Sequence, residues 1–202
     1  TQTPGENAQR YFAKYNKQKR TFEALTELIQ ETADDIQYLE SISNALDIAL
    51  NEADLAQIKE ELMQSGYIRR KHTKKKVKLT SKPMHYISSD GYDMYVGKNN
   101  LQNEELTFSF ANGNDWWFHA KGAPGSHVIV KSGGDELPDR TFEEAGRLAY
   151  SKNRGADKVE IDYIQKKHVK KPNGAKPGFV VYYTNYSLVI DSDISNIKNV
   201  QD

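Results

Sequence analysis

An uninterrupted helical pattern covers the first quarter of this chain and limits what the rest of it can fold into. Residues 6 to 50 contain no glycine or proline, and a seam of mainly apolar and aromatic side chains recurs in alternating steps of four and three from Tyr11 to Leu50, with polar residues at Gln18, Thr32 and Ser43. That spacing is the a and d pattern of a coiled coil. At about 1.5 Å per residue it predicts one helix roughly 65 Å long. The alternative is two similar helices broken near residues 32 to 35, where poor helix formers and acids cluster.

A second, shorter helix is predicted after a polar turn. Residues 51 to 54 have the composition of a turn with an N-cap, the apolar positions Leu55, Ile58 and Leu62 continue at helical spacing, and Gly66 ends the pattern. We therefore expect residues 1–68 to form an antiparallel coiled-coil hairpin with unequal arms. Because the shorter helix cannot cover the whole apolar seam of the longer one, weak self-association through this coiled coil is also expected.

A strongly basic segment follows the helices. Residues 69–82 contain eight lysines and arginines and no acidic residue. The segment can serve as a solvated hinge, or it can contact phosphates, since neutralising a polyanion releases its counterions. Under the second interpretation its candidate RNA-binding residues are Lys74, Lys75 and Lys76.

Residues 83–202 alternate strand and helix signals, which predicts a mixed α/β sheet domain and an α+β fold for the whole chain. A tight hairpin turn is expected at Asp90 and Gly91, and a helix capped by Asp139 or Thr141 is expected further on. The predicted strands cover residues 84–88, 92–97, 115–120, 126–131, 159–165, 179–183 and 187–190, and the predicted helices cover residues 100–111 and 141–153.

The densest chemistry lies in the stretch DWWFHAKGAPGSHVIV, at residues 115–130. If its first part is a strand, alternation places Trp116 and Phe118 on one face, which we interpret as core. The glycines and the proline that follow turn the chain back beside this strand. The opposite face and the returning chain then carry the candidate RNA-binding residues Asp115, Trp117, His119, Lys121, Ser126 and His127.

Four interpretations of this motif stay open. Trp117 can be core packing, as aromatic side chains on strands commonly are. Asp115, His119 and His127 are metal ligands in type, but their spacing matches no metal signature. Ser126 beside His127 is a candidate nucleophile, although neighbours on a strand point to opposite sides. Ligand recognition is favoured, with an indole or imidazole plane against a base and nearby lysines on phosphate.

The charge of the chain is unevenly distributed. The formal net charge is zero, but residues 1–66 carry 6 basic and 12 acidic side chains and the remainder carries 22 and 16, which gives −6 and +6. Besides the segment at residues 69–82, a second basic run lies in a loop rich in proline and glycine, and two basic clusters beside one domain favour nucleic acid as its ligand. The candidate RNA-binding residues of the second run are Lys167, Lys170, Lys171 and Lys176.

Several function classes are disfavoured by what the sequence lacks. Cysteine is absent, which removes disulfides, thiolate catalysis and cysteine-ligated zinc. The sequence has no signal-like apolar segment and no long apolar run, so no membrane partner is expected. We also predict no cofactor, no metal and no enzymatic activity.

Three ordered motifs resemble the NFACT-R domain of the RqcH, NEMF and fibronectin-binding protein A family. They are Asp-x-Trp-x-His followed by Pro-Gly-Ser-His-Val in residues 115–130, SSDGYDMYVGKNNLQNEELT at residues 88–107, and KKPNGAKPGFVVYY at residues 170–183. Residues 6–66 are similar to the coiled-coil middle segment of that family. The resemblance implies an RNA-binding domain at residues 83–202.

The resemblance also implies a role on the ribosome. Proteins of this family bind stalled large ribosomal subunits that carry peptidyl-tRNA, recruit tRNA and support C-terminal tailing of the stalled chain. The implied partners are therefore rRNA and tRNA, and the implied location is the cytoplasm. An alternative from another class is a cell-surface adhesin, because the same family is named for binding fibronectin or fibrinogen. A hydrolase acting on nucleotides or RNA is a third hypothesis.

Overall fold

The long helix forms as its sequence pattern predicts. In the computed structural model, which describes residues 3–69, 81–150, 158–191 and 193–200, helix α1 runs without a break from Pro4 to Ile48. Thr3 and Glu6 form a reciprocal capping box at its start: Thr3 N donates to Glu6 Oε2 over 2.8 Å and Glu6 N donates to Thr3 Oγ1 over 3.3 Å. Proline suits the first helical position because an N–H there would have had no helical partner. The alternative of a break near residues 32–35 is wrong.

The chain divides into two compact units, residues 1–40 and residues 41–202. In the first unit most apolar side chains of α1 are exposed to solvent, although Tyr38 is buried, so among the described residues most of the predicted seam is uncovered there. The most exposed of them are Tyr11, Phe12, Tyr15, Phe22, Leu28, Ile29 and Ile36. Pairing of the helices as a coiled-coil hairpin stays a prediction. Across the described ranges, no helix combines the length and the apolar character needed to cross a membrane.

Helix α2 (Glu52–Gln64) has the predicted ends. The side chain of Asn51 accepts a hydrogen bond from Asp54 N over 3.0 Å and caps the first turn. Gly66 follows the last turn with a φ of 83°, a left-handed conformation that glycine adopts at little cost. The N-cap and the terminating glycine are both confirmed.

The buried face of α2 is largely polar, whereas the sequence predicted an apolar one. Asp54 Oδ1 lies 2.5 Å from Lys98 Nζ, and Glu61 Oε1 accepts from Asn100 Nδ2 over 2.9 Å. Burial disfavours the ionised form of Asp54, but hydrogen bonds from Lys98, Ser81 and a backbone N–H outweigh it and hold the pKa of Asp54 below its ordinary value. A buried polar face needs matched donors and acceptors, so α2 packs in one specific orientation against the segment that contains Lys98 and Asn100.

Within the described residues, seven antiparallel strands form one sheet in the order β6-β5-β3-β4-β2-β1-β7. The strands are β1 (Met84–Ile87), β2 (Asp93–Val96), β3 (Trp116–Ala120), β4 (Val128–Val130), β5 (Val159–Gln165), β6 (Tyr186–Ile190) and β7 (Lys198–Asn199). Helix α3 (Asn100–Glu105) continues into a π-helical turn at Leu106–Phe110, α4 covers Asp139–Ala149, and a 3-10 turn at Lys166–His168 follows β5. The hairpins β1–β2 and β3–β4 are both confirmed.

Both faces of this sheet are covered at its central strands. Helix α4 packs on one face, where Phe118, Val128 and Ile161 belong to the first core. On the other face Trp117 and Ile164 form a second core, together with residues of the π-helical turn and the segment after β5. Strand β4 is buried along its whole length. Residues free for a ligand therefore lie mainly at strand ends, on the edge strand β6 and in loops.

Two predictions about these elements are wrong, and one strand was missed. Residues 179–183 contribute a single bridge rather than a strand. Neither Asp139 nor Thr141 caps α4, because Pro138 occupies the N-cap position and makes no side-chain bond. The Thr141 hydroxyl instead donates to Asp90 Oδ2 over 2.8 Å, a tertiary contact that local sequence does not reveal. Strand β7, which pairs with β1, was not predicted.

Candidate nucleic-acid interface

Strand β3 alternates as predicted, but neither of its faces is free. Trp116 and Phe118 contact the first core, whereas Trp117 lies in the second core and is 0% exposed. The Trp117 ring packs against His127 and Tyr182, with centroid distances of 5.0 Å and 5.1 Å. The prediction that Trp117 offers its indole plane to a base is therefore wrong, because a second layer covers the face that was taken for a surface.

His127 and Ser126 also lie in the interior, not on the predicted binding face. His127 Nδ1 is 2.8 Å from Thr107 Oγ1, and His127 N donates to Asn103 Oδ1 over 3.0 Å. Because Thr107 gives its hydroxyl hydrogen to the Asn103 carbonyl, its oxygen accepts from His127 Nδ1–H. Burial, with the neighbouring His119, holds the pKa of His127 well below its ordinary value. A neutral His127 thus joins β4 to α3.

Of the six candidate RNA-binding residues in this motif, His119 and Lys121 are the two that solvent reaches. His119 is half-buried, its Nδ1 lies 3.4 Å from the Ser126 carbonyl oxygen, and burial lowers its pKa. Lys121 is exposed, but its Nζ lies 2.6 Å from Glu160 Oε1. Its charge is therefore already partly neutralised within the domain.

Asp115 is a structural residue. It is 1% exposed, and its Oδ2 accepts from Asn112 N over 2.7 Å and from Lys131 Nζ over 2.5 Å. The carboxylate therefore closes the turn before β3 and joins it to the end of β4. Within the described residues, no group of three histidine or acidic side chains is arranged to hold a metal ion.

Two of the predicted lysines are engaged within the protein. Lys171 Nζ lies 2.7 Å from both carboxylate oxygens of Glu104. Lys176 Nζ donates to the Tyr67 hydroxyl over 3.0 Å and lies 5.3 Å from the centre of that ring. These contacts position the loop after β5. Lys74, Lys75 and Lys76 lie outside the described residues.

The remaining predicted lysines, Lys167 and Lys170, are exposed and lie directly after β5. In the described part of the chain, neither of them pairs with a carboxylate, and the same holds for Lys166, whose Nζ lies 5.8 Å from the centre of the Phe108 ring. Three cations without carboxylate partners therefore occur within five residues. An unneutralised group of this kind suits phosphate, because it can replace counterions on a polyanion.

An open cleft of about 610 Å³, the Trp116 cleft, is lined in part by His168, which belongs to the same 3-10 turn as Lys166 and Lys167. Its position is set by the sheet register, which places Trp116 at the start of β3 opposite Gln165 at the end of β5. Trp116 is half-buried, and Tyr186 at the start of β6 is 61% exposed. The residues that line the cleft are Trp116, Ile164, Gln165, His168, Thr184, Asn185 and Tyr186.

Sequence reasoning missed this cleft because it assigned Trp116 to the core and Trp117 to the surface. Trp116, Trp117 and Phe118 are three consecutive large apolar residues, a run typical of a strand covered on both faces. In such a strand, exposure depends on position along the strand and not on face. Trp116 is the first residue of β3 and is half-buried at the end of the strand, whereas Trp117 is fully buried.

Two family profiles match the chain in succession. The first, described as NFACT N-terminal and middle domains, matches residues 1–81, and the second, described as NFACT protein RNA binding domain, matches residues 82–183. The boundary between the matches lies next to Ser81, which bonds Asp54 and Gln102.

Curated relatives are similar over nearly the whole of this chain. The Rqc2 homolog RqcH of Streptococcus pneumoniae serotype 2 is 44% identical over 202 residues, which is 98% of this chain and 36% of that protein. The Rqc2 homolog RqcH of Bacillus subtilis is 39% identical over 202 residues, which is 96% of this chain and 35% of that protein. The chain thus spans about a third of the length of the curated relatives it matches.

A solved structure has the same fold. The C-terminal part of the fibronectin/fibrinogen-binding protein from Streptococcus suis superposes with a TM-score of 0.85 and 42% identity, over 98% of this chain and 80% of that one. The structural match and the two ordered profile matches agree with the three motifs at residues 88–107, 115–130 and 170–183. This chain therefore belongs to the NFACT family and contains its RNA-binding domain at residues 82–183.

Proposed function

We propose that the sheet domain binds RNA and that the chain acts in ribosome-associated quality control. The observation that carries the proposal is the group of lysines after β5, Lys166, Lys167 and Lys170, which lack carboxylate partners among the described residues. Lys121 and Lys171, in contrast, are neutralised by Glu160 and Glu104. Phosphate contacts of this kind supply affinity and orientation in RNA binding. The description of the matching family supports RNA as the polyanion.

The similarity to the Rqc2 homologs supports a more specific form of the proposal. The chain contacts a stalled large ribosomal subunit with its peptidyl-tRNA, with rRNA and tRNA as ligands, and supports tRNA-dependent C-terminal tailing of the stalled chain in the cytoplasm. Its role there is binding and not catalysis. The basic segment at residues 69–82 adds phosphate contacts to those of the domain.

The salt dependence of RNA binding tests the lysine group. Each phosphate contact to a single strand contributes about 0.7 to the slope of log affinity against log salt. The double variant Lys167→Gln, Lys170→Gln should therefore lower the slope by about 1.4. Fluorescence anisotropy of a labelled single-stranded RNA, measured over a series of salt concentrations, provides the slope.

A matched control separates local contact from net charge. The double variant Lys121→Gln, Lys171→Gln removes the same charge from lysines that already have carboxylate partners. Its slope should stay within error of the unaltered protein. Equal slopes for the two double variants would mean that the change comes from overall charge and not from local phosphate contacts. Absence of RNA binding by the unaltered protein would contradict the proposal.

The same measurement tests the segment at residues 69–82. Replacing Lys74, Lys75 and Lys76 by glutamine should flatten the salt slope if this segment contacts phosphate. An unchanged slope would assign the segment to the role of a hinge.

A second candidate function is binding of fibronectin or fibrinogen, at the cell surface. It is favoured by the structural likeness to the C-terminal part of the Streptococcus suis fibronectin/fibrinogen-binding protein. Association with ribosomes that is lost on RNase treatment supports the first proposal. Saturable fibronectin binding that salt does not weaken supports the second.

A further inference from the structure

The Trp116 cleft contains two aromatic rings, those of Trp116 and Tyr186, that pack against other aromatic side chains of the domain. Trp116 meets Phe142 of α4 edge-to-face with ring centroids 5.0 Å apart. Tyr186 stacks on Tyr163, with centroids 5.5 Å apart and an angle of 25° between the planes. The Trp116 and Tyr186 centroids are 6.4 Å apart. Because packing fixes these rings, a ligand loses little binding energy to ordering them.

Polar side chains surround this surface. Gln165, Thr184, Asn185 and His168 all line the cleft. The Asn185 amide nitrogen lies 3.3 Å from the Tyr186 carbonyl oxygen, which can only accept, so the amide orientation is set. Amide, hydroxyl and imidazole groups beside an aromatic plane are the groups that bind the edges of unstacked bases in RNA.

The charge around the cleft decides which kind of ligand it fits. No acidic side chain is among the described residues that line it. His168 belongs to the 3-10 turn that also carries Lys166 and Lys167, and Lys170 follows two residues later. A ligand here therefore has an aromatic or planar group for the cleft and negative charge for the lysines of the adjoining turn. A nucleotide within a strand has both, whereas an aromatic peptide has only the first.

We propose that the Trp116 cleft holds one unpaired nucleobase of a single-stranded RNA segment. The base stacks against Tyr186 and the exposed part of Trp116, Gln165 and Asn185 contact its edge, and the adjacent phosphates lie along the lysines after β5. This assignment rests on the proposed RNA-binding function and names the contact that would read a base, since phosphate contacts alone carry no sequence information.

Two exposed tyrosines allow a matched test. Tyr186 lines the cleft and is 61% exposed, whereas Tyr183 is 84% exposed and does not line it. With a labelled single-stranded RNA of mixed sequence, Tyr186→Ala should weaken binding about 5- to 150-fold, the equivalent of one lost stacking contact. Its salt slope should not change, because stacking releases no counterions. Tyr183→Ala should bind like the unaltered protein, and Tyr186→Phe should retain affinity because it keeps the ring.

Tryptophan fluorescence gives an independent readout. The chain has 2 tryptophans, and since Trp117 is buried, a base entering the cleft should quench Trp116 selectively. Saturating RNA should quench the unaltered protein, and the quenching should be lost in Trp116→Phe. Thermal melts of each variant establish that the domain remains folded.

The failures of the two proposals are distinguishable. If RNA binds with a lysine-dependent salt slope but Tyr186→Ala binds as tightly as Tyr183→Ala, the cleft assignment is overturned and the RNA-binding function stands. If RNA does not bind at all, both are overturned. Quenching of Trp116 by an aromatic peptide and not by RNA would assign the cleft to a protein ligand and overturn the inference.

Discussion

Replacement of Trp117 by alanine is the sharpest test of the double-covered sheet. The strand pattern alone treats Trp117 as a surface residue that is replaceable at little cost. The structure places its side chain at 0% exposure in the second core, against Ile129, Ile164 and Leu106. The two views differ in the free energy of unfolding of the variant by several kcal/mol.

The magnitude follows from the buried area. A large aromatic side chain buries roughly 150–250 Å², and at about 25 cal/mol per Å² this corresponds to about 4–6 kcal/mol. The retained methyl group and residual burial in the unfolded chain lower the figure, so Trp117→Ala should cost about 3–5 kcal/mol. Trp117→Phe should cost less, because the indole Nε1 has no hydrogen-bond partner among the described residues and its removal leaves no acceptor unpaired.

Urea denaturation followed by tryptophan fluorescence measures this difference. Each single variant retains one tryptophan in the same sheet as the reporter, so the signal excludes the long helix α1. Trp116→Ala, at a half-buried position, is the matched comparison and should cost about 1–3 kcal/mol, in proportion to its smaller buried area. If Trp117→Ala unfolds at the same urea concentration as Trp116→Ala, with an equal m-value, the argument for the second core is refuted.

Three further outcomes are expected. Gly97→Ala should lower the free energy of unfolding by more than about 2 kcal/mol, since the added Cβ would lie 2.1 Å from the Asn103 side-chain oxygen. Gly113→Ala is the control, because a Cβ there would make an ordinary 3.6 Å contact. Equal thermal midpoints for the two variants would contradict this. The free energy of unfolding should fall as pH drops below about 6.5, because the pKa of His127 is depressed in the folded protein and the unfolded chain therefore takes up the proton first. Urea midpoints measured across this pH range should change less with pH in His127→Gln than in the unaltered protein. The exposed side chains of α1 should cause association at high concentration that Ile29→Lys suppresses, and light scattering that finds a monomer throughout would count against it.

The elements that the sequence predicted well are those set by local chemistry. An unbroken helix from Pro4 to Ile48 follows from heptad spacing without a breaker, and Asn51 and Gly66 mark helix ends through backbone conformations that few other residues favour. The hairpin turn at Gly91, with a φ of 88°, follows from the same conformational preference. The family could likewise be inferred from short ordered motifs.

The role of each motif residue depended on what packs against the sheet. Alternation correctly divided Trp116 from Trp117, but it could not show that a second layer covers the face of Trp117. Whether a lysine forms an ion pair likewise depends on residues far away in the sequence. Lys171 pairs with Glu104, 67 residues earlier in the chain, while the neighbouring Lys170 pairs with no carboxylate among the described residues. Periodicity reports which residues share a face, because it arises from the backbone repeat. Exposure and charge neutralisation arise from residues distant in sequence, and only the tertiary structure brings these together.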